Sequence, residues 1–467
     1  MTNEELYYLP ASELLKHIQD EKERLIKEKV IKKSKPLPPI TEEEKPYELP
    51  EGWEWVRLSD VINIVYGTRI VKKTAKEGDY PVYGGGDITF YVDTYNRDTA
   101  IVVSRFGLSK KCTRYIKGRF FLNDSGLSLH TFNEMCLRTM YIKFLIESLQ
   151  EQIFELSRGA AQRNLDIDKF NNLLIPLPPL YIQDQIIRKL EKLSETKDSL
   201  LSHAESQLNY TKKMREALLQ EAIRGELVSQ DENDEPASVL LEKIKAEKER
   251  LIKEKLIKKS KTLSPIPEEE IPYDLPEGWE WVRLGEVIEV NSRKGKNSND
   301  ISSETWVLEM EDIEKDTSKL LQKVYNSDRQ VSSNKYSFKK SDVLYGKLRP
   351  YLNKVLIASD EGVCSSEILP LQPYQIESRY IRTYLMSPDF LNYANHLTSG
   401  TRMPRLGTDD LRKAIFPLPP LAEQERIVAK LDKLMADCNQ LEGKAEEMKN
   451  YTTKLFEASL KEAFMPE

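Results

Sequence analysis

From residue 183 onward, apolar side chains recur at alternating spacings of three and four: Ile186, Leu190, Leu193, Leu200, Ala204, Met214 and Leu218. Sustained over several heptads, that spacing predicts a long helix with a coiled-coil seam, over about residues 183–220. Lys197, Gln207 and Thr211 interrupt the seam with polar groups, which cost stability but can fix register and partner. A second run on the same grid, with Ile427, Leu431, Leu434, Leu441, Ala445, Leu455 and Ser459, predicts a matching helix over 424–461. Each would span about 57 Å at 1.5 Å per residue. The Leu-Pro-Pro-Leu stretches at 177–180 and 418–421 cannot lie inside a helix, so they set the helix starts.

Other stretches read as short strands: DYPVYGGG, ITFYV, TAIVVSRFG and TRYIKGRFFLND in the first half, and SDVLYGKLRPYLNKVLIAS in the second. Alternation places Trp53, Trp55 and Arg57 on one strand face, and Trp279, Trp281 and Arg283 on another. Tryptophans at a domain entrance read as core anchors, because aromatic burial is large. Pro350 marks its segment as kinked or as an edge.

An internal repeat organises these elements. Residues 21–61 recur as 247–287, an offset of 226 (247 − 21), with 33 of 41 positions identical. Residues 175–190 recur as 416–431 at an offset of 241 (416 − 175). Between the matched blocks lie two unlike segments, 61–174 and 287–415, the second longer by 15 (241 − 226). A shared frame therefore alternates with two variable domains, and the fold class is α+β. The expected division is 1–44 helical, 45–176 first variable domain, 177–230 long helix, 231–270 repeated helical segment, 271–417 second variable domain, and 418–467 long helix. Frame helices are expected over 11–33 and 237–259. In the middle of the chain a long helix leads through IRGEL and DENDEP into the helix at 237. The N-terminal helix has no such predecessor and the C-terminal helix no successor. Placing the termini side by side supplies the join and makes a circle of two halves about an approximate two-fold axis.

Charge then refines the picture. The net charge is −6, from 70 Lys+Arg against 76 Asp+Glu, which alone disfavours a nucleic-acid binder. Its distribution points the other way. Residues 99–122 carry Arg105, Lys110, Lys111, Arg114, Lys117 and Arg119 without one acid. Residues 335–355 carry Lys335, Lys339, Lys340, Lys347, Arg349 and Lys354 against Asp342 alone. Arg105 ends an apolar strand, and Lys347, Arg349, Tyr351 and Lys354 surround Pro350. Each variable domain closes on a small basic loop, SRGAAQRNLD with Arg158, Gln162 and Arg163, and SGTRMPRLGTDD with Arg402 and Arg405. Such side chains can reach phosphates or base edges. Solvated strand faces and ordinary surface loops fit the same residues.

Several chemistries lack their signatures. There is no [DNS]PP[FYW] tetrapeptide for an amino-methyltransferase and no GxxxxGK[ST] phosphate loop. Gly84-Gly85-Gly86 follows a strand without GxGxxG spacing, so it reads as a tight turn. His17, His130, His203 and His396 are isolated, without metal-ligand spacing. The four cysteines form no CxxC pair and read as free cytosolic thiols. No apolar run approaches the ~20 residues of a membrane span, and the start MTNEELYYLP has no secretory pattern. A cytoplasmic location is expected.

Taken together, the layout resembles the specificity subunit of type I restriction–modification enzymes. The resemblance covers nearly the whole chain. It rests on two unlike domains, each followed by PLPPL and a long helix: Pro176–Leu180 with Gln183, and Pro417–Leu421 with Glu423 and Gln424. IRGEL, GKLRPYLNK and VYGGG also look like the family. The resemblance implies two β-rich target-recognition domains separated by long antiparallel coiled-coil helices, in a pseudo-two-fold internal repeat. Each domain would read half of a bipartite, asymmetric DNA sequence, and the helices would set the spacing and dock two modification (methyltransferase) subunits. It implies no catalytic group, cofactor or metal in this chain. S-adenosylmethionine, ATP and magnesium would belong to modification and restriction (endonuclease, translocase) subunits. The alternatives are a specificity subunit of a type IIB-like or other defence system, a DNA-modifying enzyme with a cryptic site, and a coiled-coil scaffold.

Overall fold

A computed structural model of the protein describes residues 3–33, 37–159, 163–257, 259, 262–291, 293, 295–400 and 402–464. The chain divides into two compact units, residues 1–204 with 446–467, and residues 205–445.

In the first unit a six-stranded sheet runs in the order Ile62–Tyr66, Gly126–Thr131, Arg97–Ser104, Thr113–Leu122, Tyr80–Tyr83 and Phe90–Val92. Successive side chains of a strand point to opposite faces, and the central strand uses both. Ile101 and Val103 enter the main core, while Ala100 and Val102 pack with Ile116, Phe120 and Leu122 on the other face. The main core draws Ala11, Leu14 and Ile18 from the helix Ala11–Lys27, Tyr141 and Ile142 from Thr139–Ser148, and Phe456, Leu460 and Phe464 from the last turns of the chain.

The second unit repeats the strand pairings with a different sequence. Its four-stranded sheet runs Ile288–Val290, Ile368–Pro373, Val343–Gly346 and Val355–Ile357. Ser104 faces Gly126 in the first unit, and Gly346 faces Ile368 in the second, an offset of 242 (346 − 104). Likewise the parallel pair Val82–Phe121 becomes Val307–Val363. The offset is 225 at Tyr83 (308 − 83) and 242 at Ser104, so the extra length of the second domain lies between these strands. There the first unit has the edge strand Phe90–Val92. The second has a longer excursion, pinned where Arg329 and Gln322 bond the buried Asp312.

Frame contacts repeat residue for residue. The Arg57 guanidinium donates to the carbonyls of Pro38, Pro39 and Asn172 and to Glu44. Arg283 does the same to Ser264, Pro265 and Lys413 and pairs with Glu270. Trp55 and Trp281 donate from their indoles to the carbonyls of Tyr47 and Tyr273; Trp55 and Trp279 are buried, as anchors should be, while Trp53 and Trp281 are half-buried. The fully buried Gln183 bonds the Pro178 and Cys136 carbonyls and the Arg138 amide; Gln424 bonds the Pro419 carbonyl and the Glu377 amide. The glutamine after PLPPL thus ties each long helix to its own variable domain.

Two expectations need correction. The frame helices are Ala11–Lys27 and Ala237–Lys253, six residues shorter than expected at each C-terminus (33 − 27, 259 − 253). Lys29 and Lys255 turn left-handed there, with φ 61° and 57°, and their amides return to Ile26 and Ile252, which closes the helix. The long helices are Leu180–Arg224 and Leu421–Phe464, but their buried stripe is narrower than the heptad pattern implied. It follows Leu190, Ala204, Thr211 and Leu218, and Leu431, Cys438, Ala445 and Thr452. The expected seam members Leu200, Met214, Leu441 and Leu455 are exposed. Within the second unit the two long helices run antiparallel: Arg215 bonds Glu442 and Asn439, while Ile223 shares a core with Ile427.

Candidate nucleic-acid interface

In the first unit the loop after Arg97–Ser104 is stitched to the hairpin Ser157–Arg158/Asn164–Leu165. The Leu165 amide donates to the Arg105 carbonyl (2.9 Å) and the Leu108 amide to the Arg163 carbonyl (3.0 Å), with Phe106 opposite Asn164. Backbone pairing therefore brings Arg105, Lys110, Lys111, Arg158 and Arg163 to one rim, although they come from segments about fifty residues apart in sequence. Gln162 lies outside the described residues.

Their side chains are committed to different degrees. Lys110 and Lys111 are exposed at the turn. Arg105 is half-buried, its guanidinium over the rings of Tyr66 (5.0 Å) and Phe106 (4.5 Å). Arg163 covers Phe154 at 4.6 Å, and Arg158 pairs with Asp166. Burial raises the Asp166 carboxyl, but the Lys169 amide and Arg158 outweigh it and hold the group below its ordinary range. Arg114 turns inward and donates to the Gly85 carbonyl (3.1 Å), which also accepts from the Ser104 hydroxyl (2.6 Å). A Cβ on Gly85 would stand 2.7 Å from the Phe106 carbonyl oxygen. The glycines of VYGGG thus allow a close backbone passage beneath the rim.

The second unit builds the same rim. The Leu406 amide donates to the Lys347 carbonyl (3.0 Å) and the Arg349 amide to the Pro404 carbonyl (2.7 Å), with Leu348 opposite Arg405. Lys347 thus stands where Arg105 does, at an offset of 242 (347 − 105), and Arg405 stands where Asn164 does, at 241 (405 − 164). Pro350–Leu352 forms a single 3-10 turn between left-handed Arg349 (φ 52°) and Asn353 (φ 47°), which projects Arg349 and the exposed Tyr351. Lys354 is tied by its ammonium to the Met310 carbonyl (2.7 Å), and Arg405 bonds both carboxylate oxygens of Glu367 (3.1 and 3.0 Å). Arg402 is exposed on the closing loop.

Sequence reasoning passed over Asn164 and Glu367, whose places emerge only from the pairing of one rim with the other. It also passed over Tyr66 and Phe106, the platform under Arg105. Among the described residues, no group of three His, Cys, Asp or Glu side chains could hold a metal ion, and no helix is long and apolar enough to cross a membrane. All four cysteines are buried and unpaired.

Residues 50–210 and 276–448 match the family model of the type I restriction modification DNA specificity domain. The EcoAI specificity subunit of Escherichia coli is 29% identical over 509 residues, covering 92% of this chain and 86% of its own length. The EcoEI specificity subunit, also of Escherichia coli, is 27% identical over 532 residues, covering 94% and 86%. A solved chain from work on complex assembly and conformational transition of the type I R-M system superposes with a TM-score of 0.55 at 19% identity, covering 90% of this chain and all of that one, so the fold is shared. With both variable domains and most of both long helices inside the matched residues, the chain belongs to the type I restriction–modification specificity family.

Proposed function

We propose that each variable domain reads one half of a bipartite, asymmetric DNA site. The observation that carries this is that two rims of one backbone design bear different side chains. At the offset of 242 Arg105 and the left-handed Gly107 answer to Lys347 and the left-handed Arg349, and at 241 Arg163 and Asn164 answer to Pro404 and Arg405. The second bond of the rim nevertheless comes from Leu108 in the first and from Arg349 in the second. A common scaffold with unlike edge groups is what reading two unlike half-sites demands, because base edges are distinguished by donor and acceptor pattern.

Two modification subunits dock on the frame and restriction subunits join them. The long helices expose equivalent apolar groups, Leu200, Tyr210 and Met214 on one and Leu441, Tyr451 and Leu455 on the other, which suits two copies of one partner. S-adenosylmethionine, ATP and magnesium are held by those partners, and this chain supplies no catalytic group. The assembly acts in the cytoplasm, where buried thiols stay reduced.

Replacing residues 61–174 with the corresponding segment of another family member tests the reading. Mapping methylated adenines should show one half of the site rewritten and the other retained. A rewritten second half, or methyl transfer by the purified chain without modification subunits, overturns it.

A further inference from the structure

The two units fill one corresponding place differently. In the second, Tyr384 on the helix Ser378–Met386 and Tyr393 on the helix Pro388–Thr398 both reach backbone carbonyls at or near the frame strand Ile415–Leu418. The Tyr384 hydroxyl donates to the Ile415 carbonyl (2.6 Å), its ring 4.9 Å from Phe416. The Tyr393 hydroxyl donates to the Asp410 carbonyl (2.8 Å), and its phenol lies within electrostatic reach of Asp410, Arg283 and Glu270. Burial pushes this phenol up to about 12, so it stays a neutral donor.

In the first unit both rings are missing from that place. The helices there correspond at an offset of 239 (380 − 141), because Tyr141 and Tyr380 donate to the carbonyls of Pro176 and Pro417. Ser148 and Ser387 bond the carbonyls of Leu145 and Tyr384 in the same register. Tyr384 therefore corresponds to Leu145. Tyr393 corresponds to Phe154, whose ring lies instead beneath the Arg163 guanidinium. What remains is a cleft of about 630 Å³, its open wall formed by Tyr47, Leu149, Leu156 and Leu174 over the buried Trp55, Leu145 and Phe464, and bordered by Glu44 and Lys169. Glu44 is the counterpart of Glu270, and Lys169 of Asp410, so the cleft wall is the surface that the two tyrosines cover in the second unit.

We propose that this cleft is a binding site for a phenolic group. The half-buried Tyr47 ring suits a second ring packed edge to face, and a few polar groups at the end of an apolar cleft fix a ligand's orientation. The carbonyls of Lys169 and Leu174 would accept the hydroxyl, as those of Asp410 and Ile415 accept the tyrosines of the second unit.

The test uses the full chain and p-cresol, the tyrosine side chain cut at its Cβ. Calorimetry should show saturable binding, and ring protons of p-cresol should give nuclear Overhauser effects to the methyls of Leu145 and Leu149. Toluene, which lacks the hydroxyl, should bind about tenfold more weakly. Leu145→Tyr, which copies the second unit's filling, should melt no lower than the natural chain and lose at least tenfold in p-cresol affinity. N-acetyltyrosinamide separates two sources of the phenol. If it binds as p-cresol does, the cleft takes a tyrosine presented on a polypeptide; if p-cresol binds alone, the cleft takes a free phenol. The absence of saturable p-cresol binding, effects at other methyls only, or undiminished binding to Leu145→Tyr overturns the proposal.

Discussion

The hydroxyl of Tyr47 donates to the backbone carbonyl of Phe464, and Tyr273 makes the same bond to Ile223. In the second unit the long helix leads through a short connection into the frame helix; in the first unit the chain's last turns pack where that helix would end. Phe464 is buried, with its ring 5.4 Å from Tyr141. Phe464→Ala should cost about 3–5 kcal/mol, and Tyr47→Phe about 1 kcal/mol. Hydrogen exchange should show the loss in the amides of the first unit. Equal loss in both units would mean that the C-terminal turns do not serve the first unit in particular.

The basic residues of the first domain should separate by commitment. Lys110→Gln with Lys111→Gln should flatten the salt dependence of DNA binding by about 0.9 per lost phosphate contact and leave the melting temperature alone. Arg114→Gln removes a hydrogen bond to the Gly85 carbonyl beneath the rim. It should cost about 1 kcal/mol of stability and change the salt slope less than the lysine pair does. Titrations at several salt concentrations, beside thermal melts, decide between these outcomes.

Much of the architecture was legible because the chain states it twice. The repeat at 226 and 241 locates the frame, the long helices and the two unlike domains. The narrowness of the seam was not legible. Leu200 and Met214 satisfy the heptad as well as Leu190 does, and only the partner's position decides which of them is covered. Early helix closure at Lys29 was hidden for a similar reason, since lysine gives no turn signal and a left-handed residue there is set by the returning backbone bond. The candidate site was half visible. Charge runs pointed to Arg105 and Lys347, but the pairing of 105–108 with 163–165 is a long-range backbone match that composition cannot report. Nor could composition tell that Arg114 and Lys354 turn inward.

Stability should depend on pH through Glu423. Its carboxylate is buried and accepts from the Trp279 indole (2.9 Å) and the Gln230 amide (3.0 Å), and its counterpart in the first repeat is Ile182. Burial raises its pKa, and the hydrogen bonds and Arg426 offset this only in part. The folded chain therefore holds this proton more tightly than the unfolded chain does. The stabilisation is full below the unfolded value of about 4.3 and is lost as pH rises through the raised folded value. Glu423→Gln should flatten that trend in the melting temperature and be at least as stable as the natural chain at neutral pH. A parallel pH dependence in the two proteins would remove Glu423 from this role.

The two rims differ at one left-handed position of the backbone. Arg349 sits left-handed at φ 52°, and the corresponding residue of the first rim is Gly107, at φ 61° with open space around its α-carbon. A left-handed conformation costs a non-glycine residue about 1–2 kcal/mol, which glycine avoids. The second domain thus keeps an arginine where the first has the residue that suits the backbone. Arg349→Gly should raise stability by about 1 kcal/mol while weakening DNA binding, with the loss confined to discrimination at the second half-site. Arg349→Ala separates the two effects, because it removes the guanidinium and keeps the strain: binding should fall as in the glycine variant, without the gain in stability. Gly107→Arg should do the reverse on the first rim, destabilising it and perturbing only the first half-site. Denaturant unfolding together with methylation mapping reads both quantities. If Arg349→Gly bound and discriminated as the natural chain does, the arginine would be a strained surface residue and the second rim would be read by its neighbours.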